Sequence, residues 1–162
     1  MPKVLVLYDS KTGNTRKMAY AIAKGARSLR QVSVELKRVD QTTLNDLRKA
    51  DGIVIGSPTY YGEMSAKTKA LIDKSVRIHG RLEGKVGAAF TSSGNVASGA
   101  ETKLMSIIQA MFIHGMIVQG LSEGQHYGPA VVGSPKKNNL NVCMRFGERV
   151  ARLVLALHGS QR

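Results

Sequence analysis

Ser10, Thr12 and Thr15 lie close together behind the apolar run "KVLVL", with Gly13 and Asn14 among them and Arg16 and Lys17 just after. Three hydroxyls, a glycine and following bases suit a small anion. If a helix opens there, its free backbone N–H groups and dipole end add to that preference. The segment "SKTGNT" lacks the second glycine and the Lys-Ser or Lys-Thr of a Walker A loop, and it lacks the three-glycine dinucleotide pattern. Taken alone it reads equally well as a turn with an N-cap. Three further segments carry aromatic or small polar residues: "SPTYYGEMS" (57–65), "TSSGNVASGAE" (91–101) and "EGQHYG" (123–128). Their small residues let a flat ring approach the backbone, and their tyrosines and His126 offer ring contacts.

These segments need a scaffold that brings them together. Strand-like and helix-like patterns alternate along the chain: apolar strands at 3–8, 33–39, 52–58, 85–93 and 116–121. Between them lie helical spacings at 15–29, 43–50, 65–79 and 100–114, with Thr42 or Thr43 and Ser65 as N-caps. Pro58 is expected to end the third strand. An irregular stretch from 122 to 140 precedes a last helix, on which Cys143, Phe146, Val150, Leu153 and Leu157 share a face. This alternation predicts an α/β fold, a doubly wound five-stranded parallel sheet in order 2-1-3-4-5 with helices on both faces. The four loops after strands one, three, four and five then converge at one edge of the sheet.

The 162 residues fit one domain spanning 1–162. No apolar stretch reaches the roughly 20 residues of a membrane span, and no signal peptide opens the chain, so cytoplasm is the expected compartment. A single Cys excludes an internal disulfide and a multi-cysteine metal site; no metal ligand set is expected. Cys143 and Met105, Met111 and Met116 read as core, and His114 as a helix-end cap acting on the dipole. The topology has other users that the residues exclude. A receiver domain needs an Asp where Ser57 stands, and a small tyrosine phosphatase needs a Cys in the first loop. Twenty-four Lys and Arg against eleven Asp and Glu give a net charge of +13. From Lys11 to Arg30 there is no acid, and Arg16, Lys17, Lys24, Arg27 and Arg30 form a helical stripe. That balance favours anionic ligands or acidic partners; no nucleic-acid motif accompanies it.

Four segments together, "SKTGNT", "GSPTYYGEMSAKTKALID", "FTSSG…SGAET" and "HGMIVQG", resemble the flavodoxin-fold FMN proteins. The resemblance is greatest to WrbA-type NAD(P)H:quinone oxidoreductases and their short relatives, and it covers essentially the whole chain. It implies that Ser10, Thr12, Gly13, Asn14 and Thr15 hold the FMN phosphate. It implies that Pro58, Thr59, Tyr60, Tyr61 and Gly62 line the isoalloxazine ring, while Thr91, Ser92, Ser93, Gly94 and Gly99 close around its pyrimidine side and ribityl chain. His126 would lie near the ring, from this chain or a neighbouring subunit, and with Tyr127 would position the acceptor or relay protons. The implied activity is two-electron transfer from NADH or NADPH to a quinone-like acceptor, in a homodimer or homotetramer. A flavodoxin-type electron carrier, passing electrons to a redox protein, is the alternative. The chain departs from the family in having Ser98-Gly99 where a Gly-Gly pair is usual, in its shorter length and in having no Trp.

Overall fold

The computed structural model describes residues 1–159. Its framework is set by β1 (Lys3–Tyr8), buried at every position after Lys3. Alternate side chains of β1 point to opposite faces. Val4 and Val6 join one core, with Met18, Ile22, Cys143 and Phe146; Leu5 and Leu7 join the other, with Leu47, Leu71, Leu104 and Ile107. Helix α1 (Asn14–Ala26) follows β1, and β2 (Ser33–Arg38) pairs with it in parallel. A single 3-10 turn (Val39–Gln41) leads to α2 (Leu44–Lys49). There Thr43 and Asp46 form a reciprocal capping box.

β3 (Gly52–Tyr60) pairs in parallel with β1 on its other side. It turns back through a short antiparallel strand, β4 (Glu63–Met64). Helix α3 (Ala66–Lys74) is capped by Ser65, whose side chain accepts from the Thr68 N–H, and it continues as a 3-10 turn over Ser75–Ile78. β5 (Val86–Ser93) lies along β3, and α4 (Ala100–Ile113) follows. β6 (Ile117–Val118), β7 (Ala130–Val132) and α5 (Lys137–His158) complete the chain. The sheet order is β2-β1-β3-β5-β6, the expected parallel order once the β4 hairpin is set aside. Helices α1 and α5 cover one face and α2, α3 and α4 the other. None of the helices in the described residues is long and apolar enough to cross a membrane.

Four expectations need correction. Pro58 does not end the third strand, which runs on to Tyr60. Backbone groups alternate sides along a strand, and Gly56 presents its carbonyl to the Asp9 N–H on the β1 side. Pro58 faces that same side, where β1 has already ended, so its missing N–H costs no ladder bond. Secondly, the fifth strand is two short pieces, both paired with β5: β6 at Val86 and Gly87, β7 at Thr91 to Ser93. The chain leaves the sheet after Val118 and is held outside by Arg149, which donates to the Gln119 side chain and the Gly120 carbonyl. It returns through Gly128, where a Cβ would stand 2.0 Å from the Ala89 carbonyl oxygen. The segment 122–140 is thus partly regular, with β7 inside it and α5 starting at Lys137. Thirdly, Leu157 is 36% exposed and falls outside the buried face of α5. Lastly, His114 does end α4, but burial and then the neighbouring His79 lower its pKa, and its Nε2 shares a 2.7 Å hydrogen bond with Ser75 Oγ. It ties α4 to the end of α3 rather than acting as a charge on the dipole. Cys143 is fully buried as expected, and burial pushes its thiol up to about 12.

The two helices on the α1/α5 face touch through glycine. A Cβ on Gly25 would lie 1.8 Å from the Met144 carbonyl oxygen, and one on Gly147 would lie 2.0 Å from that of Ile22. Gly147→Ala is therefore expected to destabilise the protein by about 2 kcal/mol through overpacking. That loss exceeds the ~1 kcal/mol that alanine gains over glycine in helix propensity. Urea unfolding of the two proteins measures the difference.

Candidate functional site

The carboxyl ends of β1, β3 and β5 all point to one edge of the sheet, and there the crossover that leaves β1 runs to β2 while the one that leaves β3 runs the opposite way, to β5. Such a reversal opens a crevice beyond the strand ends. The loop after β1 opens with Asp9, buried, whose carboxylate accepts from the Ser10 N–H at 2.9 Å. Ser10 Oγ in turn accepts from the Gly13 N–H at 3.1 Å. Gly13 is the N-cap of α1, at φ 94°, a conformation that favours glycine. It brings no side chain to the helix end, and the first turn holds no acid. The first-turn N–H groups have no intrahelical acceptor, so this end offers a positive, donor-rich cradle.

Side chains tie this loop to the others. Thr15, buried at the start of α1, shares a 2.8 Å hydrogen bond with Ser92 of β5. Thr59 of β3 shares another of 2.8 Å with Thr91. The Gly133 N–H donates to the Ser93 carbonyl and the Thr91 N–H to that of Pro129, which anchors the last loop. Gly62 and Gly99 meet so closely that a Cβ on Gly99 would stand 2.5 Å from the Gly62 Cα. The sequence-predicted residues of the first three loops thus gather at one place.

The aromatic loop is a two-residue hairpin turn. Tyr60 pairs with Glu63, and both intervening residues have positive φ: Tyr61 at 50° and Gly62 at 77°. That is a type I′ turn, which ordinarily favours Asn-Gly. A tyrosine in the left-handed region is strained, and the Tyr61 side chain is fully exposed at the tip, with Tyr60 at 42%. Pro58 is buried and Thr59 half-buried. Gly94 is exposed in the loop after β5, where Ser93 Oγ donates to the Asn95 carbonyl. A cavity of about 270 Å³ lies beside this loop, bounded by Ser93, Ala97, Glu101, His126 and Tyr127. His126 Nδ1 lies 2.8 Å from the Leu121 carbonyl oxygen, so Nδ1 carries the proton. Its Nε2 is the ring atom free to exchange one. Ser10, Thr12, Gly13 and Asn14 do not line this cavity; they stand at the separate α1 end of the crevice.

Lys103 was not legible as a site residue. It sits in α4 with no exposure at all, donating from Nζ to the Ser57 carbonyl at 2.8 Å and the Phe90 carbonyl at 2.9 Å. It therefore bridges β3 and β5 near their carboxyl ends. Burial drives its pKa well below the ordinary 10.5. In "ETKLMSII" the one available signal is a lysine within the apolar face formed by Leu104, Ile107 and Ile108.

With this geometry in view, comparison with known proteins is specific. Residues 41–123 match the family described as NADPH-dependent FMN reductase. A "Flavodoxin" of Aquifex aeolicus is 42% identical over 162 residues, covering 95% of this chain and 88% of that protein. The chain belongs to the flavodoxin-like family of FMN proteins. Another relative, an "NAD(P)H dehydrogenase (quinone)" of Archaeoglobus fulgidus, is 37% identical, with 94% and 97% covered. Among solved structures, an archaeal flavodoxin is 30% identical with a TM-score of 0.78, covering 94% of this chain and 98% of that one. A structure described as "the flavodoxin, WrbA-like protein" of Agrobacterium tumefaciens has a TM-score of 0.82 at 25% identity, covering 97% of this chain and 99% of that one. The family expected from the four segments is thus the family found, and its fold is the one observed.

Lys103 gives a pH-dependent prediction. A lysine whose folded pKa lies below its unfolded value binds fewer protons when folded, so its contribution to stability rises with pH up to about 10.5. Wild type is expected to gain stability relative to Lys103→Met between pH 7 and pH 10. Urea midpoints of both proteins at the two pH values check the sign; a constant difference would mean that folded and unfolded Lys103 bind the same number of protons across that window.

Proposed function

We propose that the crevice holds FMN and that the protein catalyses electron transfer from NADH or NADPH to a quinone-like acceptor. The observation that carries this reading is the juxtaposition of an uncapped, acid-free helix N-terminus with an exposed aromatic turn at the point of strand reversal. The residues fit the cofactor at both ends. The phosphate would rest on the first-turn N–H groups of α1, with Ser10, Thr12, Gly13, Asn14 and Thr15 around it. The ring would lie among Pro58, Thr59, Tyr60, Tyr61, Gly62 and the loop of Thr91, Ser92, Ser93, Gly94 and Gly99. Cofactor and site would occupy a single FMN-binding domain over 1–162.

When bound, FMN would supply the redox chemistry of two-electron transfer between nicotinamide and acceptor. The chain supplies binding, exposure and proton handling. Tyr60 and Tyr61 present aromatic surface to a planar ligand. His126, its Nδ1 proton engaged by Leu121, offers Nε2 to hold or give a proton at the acceptor, and Tyr127 stands beside it on the same cavity wall. The quinone dehydrogenase relatives support the enzyme reading. The acceptor is a small quinone-like molecule or a redox protein, and the active assembly is a homodimer or homotetramer, so that a neighbouring subunit can complete the open side of the slot.

The second reading is an electron carrier, favoured by the 42% identical relative named flavodoxin. The net charge of +13 weighs for two-electron chemistry instead, since a positive surrounding stabilises the anion formed when a flavin is fully reduced.

Purified protein is expected to bind FMN and turn yellow, and to oxidise NADH or NADPH with benzoquinone faster than free FMN does. Binding without turnover would leave the carrier reading. Thr12→Val separates the phosphate site from the ring site. Thr12 is exposed at the helix end, whereas Thr15 also braces Ser92. Loss of one hydrogen bond to a charged group weakens FMN about tenfold and leaves riboflavin affinity unchanged. Titration of both ligands by flavin fluorescence measures this; equal losses would place the phosphate elsewhere.

A further inference from the structure

A groove of about 890 Å³ lies between α1 and α5, away from the crevice, on the face of the sheet that those two helices cover. Arg16, Tyr20, Lys24 and Arg27 recur at i, i+4, i+8 and i+11, so they run along one face of α1 and its end. Lys17 flanks them and Lys137 of α5 stands opposite. The floor between is apolar: Ala21, Leu140 and Met144 are half-buried, and Tyr20 is 57% exposed.

The charges here are uncompensated. No acid occurs between Lys11 and Arg30, and none in α5 before Glu148. Among the described residues, the ion pairs use Lys3, Lys37, Arg38, Lys67, Lys69 and Arg152; the five bases of the groove enter none of them. Lys17 donates only to Ser134 Oγ and Arg27 only to the Val34 carbonyl, both at 3.3 Å.

We propose that this groove docks an acidic amphipathic segment of a partner protein, apolar side chains on Tyr20, Leu140 and Met144 and carboxylates on the surrounding bases. The charge selects an anionic occupant, and the apolar floor selects among anions. A nucleic-acid backbone presents phosphates and sugars to a surface and gains little from such a floor. An amphipathic helix gains from both parts of the groove. A second copy of this chain is disfavoured, since a two-fold contact would bring the same five cations against themselves. The docking goes beyond the FMN reading and does not depend on it. Arg16 and Lys17 do begin at the helix end that faces the crevice, so a segment seated here lies next to the candidate cofactor site.

The test uses three fluorescein-labelled probes: an 18-residue helix of Glu with Leu at i, i+3, i+4 and i+7 spacing, the same peptide with Ala for Leu, and oligo-dT. Anisotropy is measured in 0.1 M salt, with and without FMN. The Leu peptide is expected to bind at least about tenfold tighter than the Ala peptide, equally in both conditions. Lys24→Glu with Arg27→Glu should weaken it about tenfold or more. The control pair Lys49→Glu with Arg81→Glu, which carries the same change of charge and lies outside the groove, should change it less than about twofold. Tyr20→Ala should lower affinity for the Leu peptide and leave the Ala peptide unchanged, which a general loss of charge or fold would not do; circular dichroism confirms folding of each variant. Equal binding of the two peptides overturns the proposal, as does an equal effect of the control pair. Tighter binding of oligo-dT, lost in the groove variant, would make this a nucleic-acid surface instead. Sedimentation showing that Lys24→Glu with Arg27→Glu dissolves a dimer would make it a subunit interface.

Discussion

The parallel pairing of β1 with β3, and of β3 with β5, is the constraint on which the rest of the molecule depends. All three strands are almost wholly buried, so neither face can be left to water, and helices must cover both. Parallel strands joined by right-handed crossovers place every following loop at the same edge. The loops after β1, β3 and β5 therefore meet without any signal of their own. The register does the fine placement: Ser57 stands beside Thr91 and Pro58 beside Ser92, which sets the spacing at which hydroxyls on neighbouring segments can bond.

What fills the space beneath that edge is polar and uncharged, apart from Asp9 and Lys103. Thr15 with Ser92, and Thr59 with Thr91, are buried or half-buried hydroxyl pairs in which each group satisfies the other. Such pairs hold loops in place with a short reach and leave a hydroxyl able to make a second bond. Lys103 is different. Its Nζ donates to two carbonyls and to no carboxylate, so burial disfavours its charged form. A group kept in that position joins β3 to β5 from the α4 side.

Charge is distributed unevenly, and the reason lies in the acids. Glu35, Asp40 and Asp46 cluster near β2 and the start of α2, where Lys3, Lys37, Arg38 and Lys67 surround them. Arg38 and then Lys67 hold the Asp40 carboxyl down to about 2. Pairs this exposed add little stability, yet they consume acids on one side of the sheet. The opposite side, α1 and the first half of α5, has none. Five bases of the excess therefore stand unopposed on a helical face that continues to the end of α1 that opens on the crevice.

The residues by themselves determined the class of fold, the strand order and the loops that meet at one edge of the sheet. Those are local matters: an apolar run of strand length, a 3.6-residue period, Thr43 or Ser65 before a helix. They also carried the family, because four separate segments had to match together. Contacts between distant segments had no such signature. Pro58 reads as a terminator until one sees that β1 has ended beside it. "MIVQGL" reads as a full strand until Arg149, from a helix thirty residues on, draws Gln119 and Gly120 out of the sheet. Lys103 lies within an apolar face of α4, and only the packing of that helix across β3 and β5 brings its Nζ to the Ser57 and Phe90 carbonyls. The basic stripe was visible on α1, but its partner Lys137 and its apolar floor come from α5, brought alongside by the close approach at Gly25 and Gly147. Sequence records what each segment prefers; which preferences face one another is a property of the packed sheet and its helices.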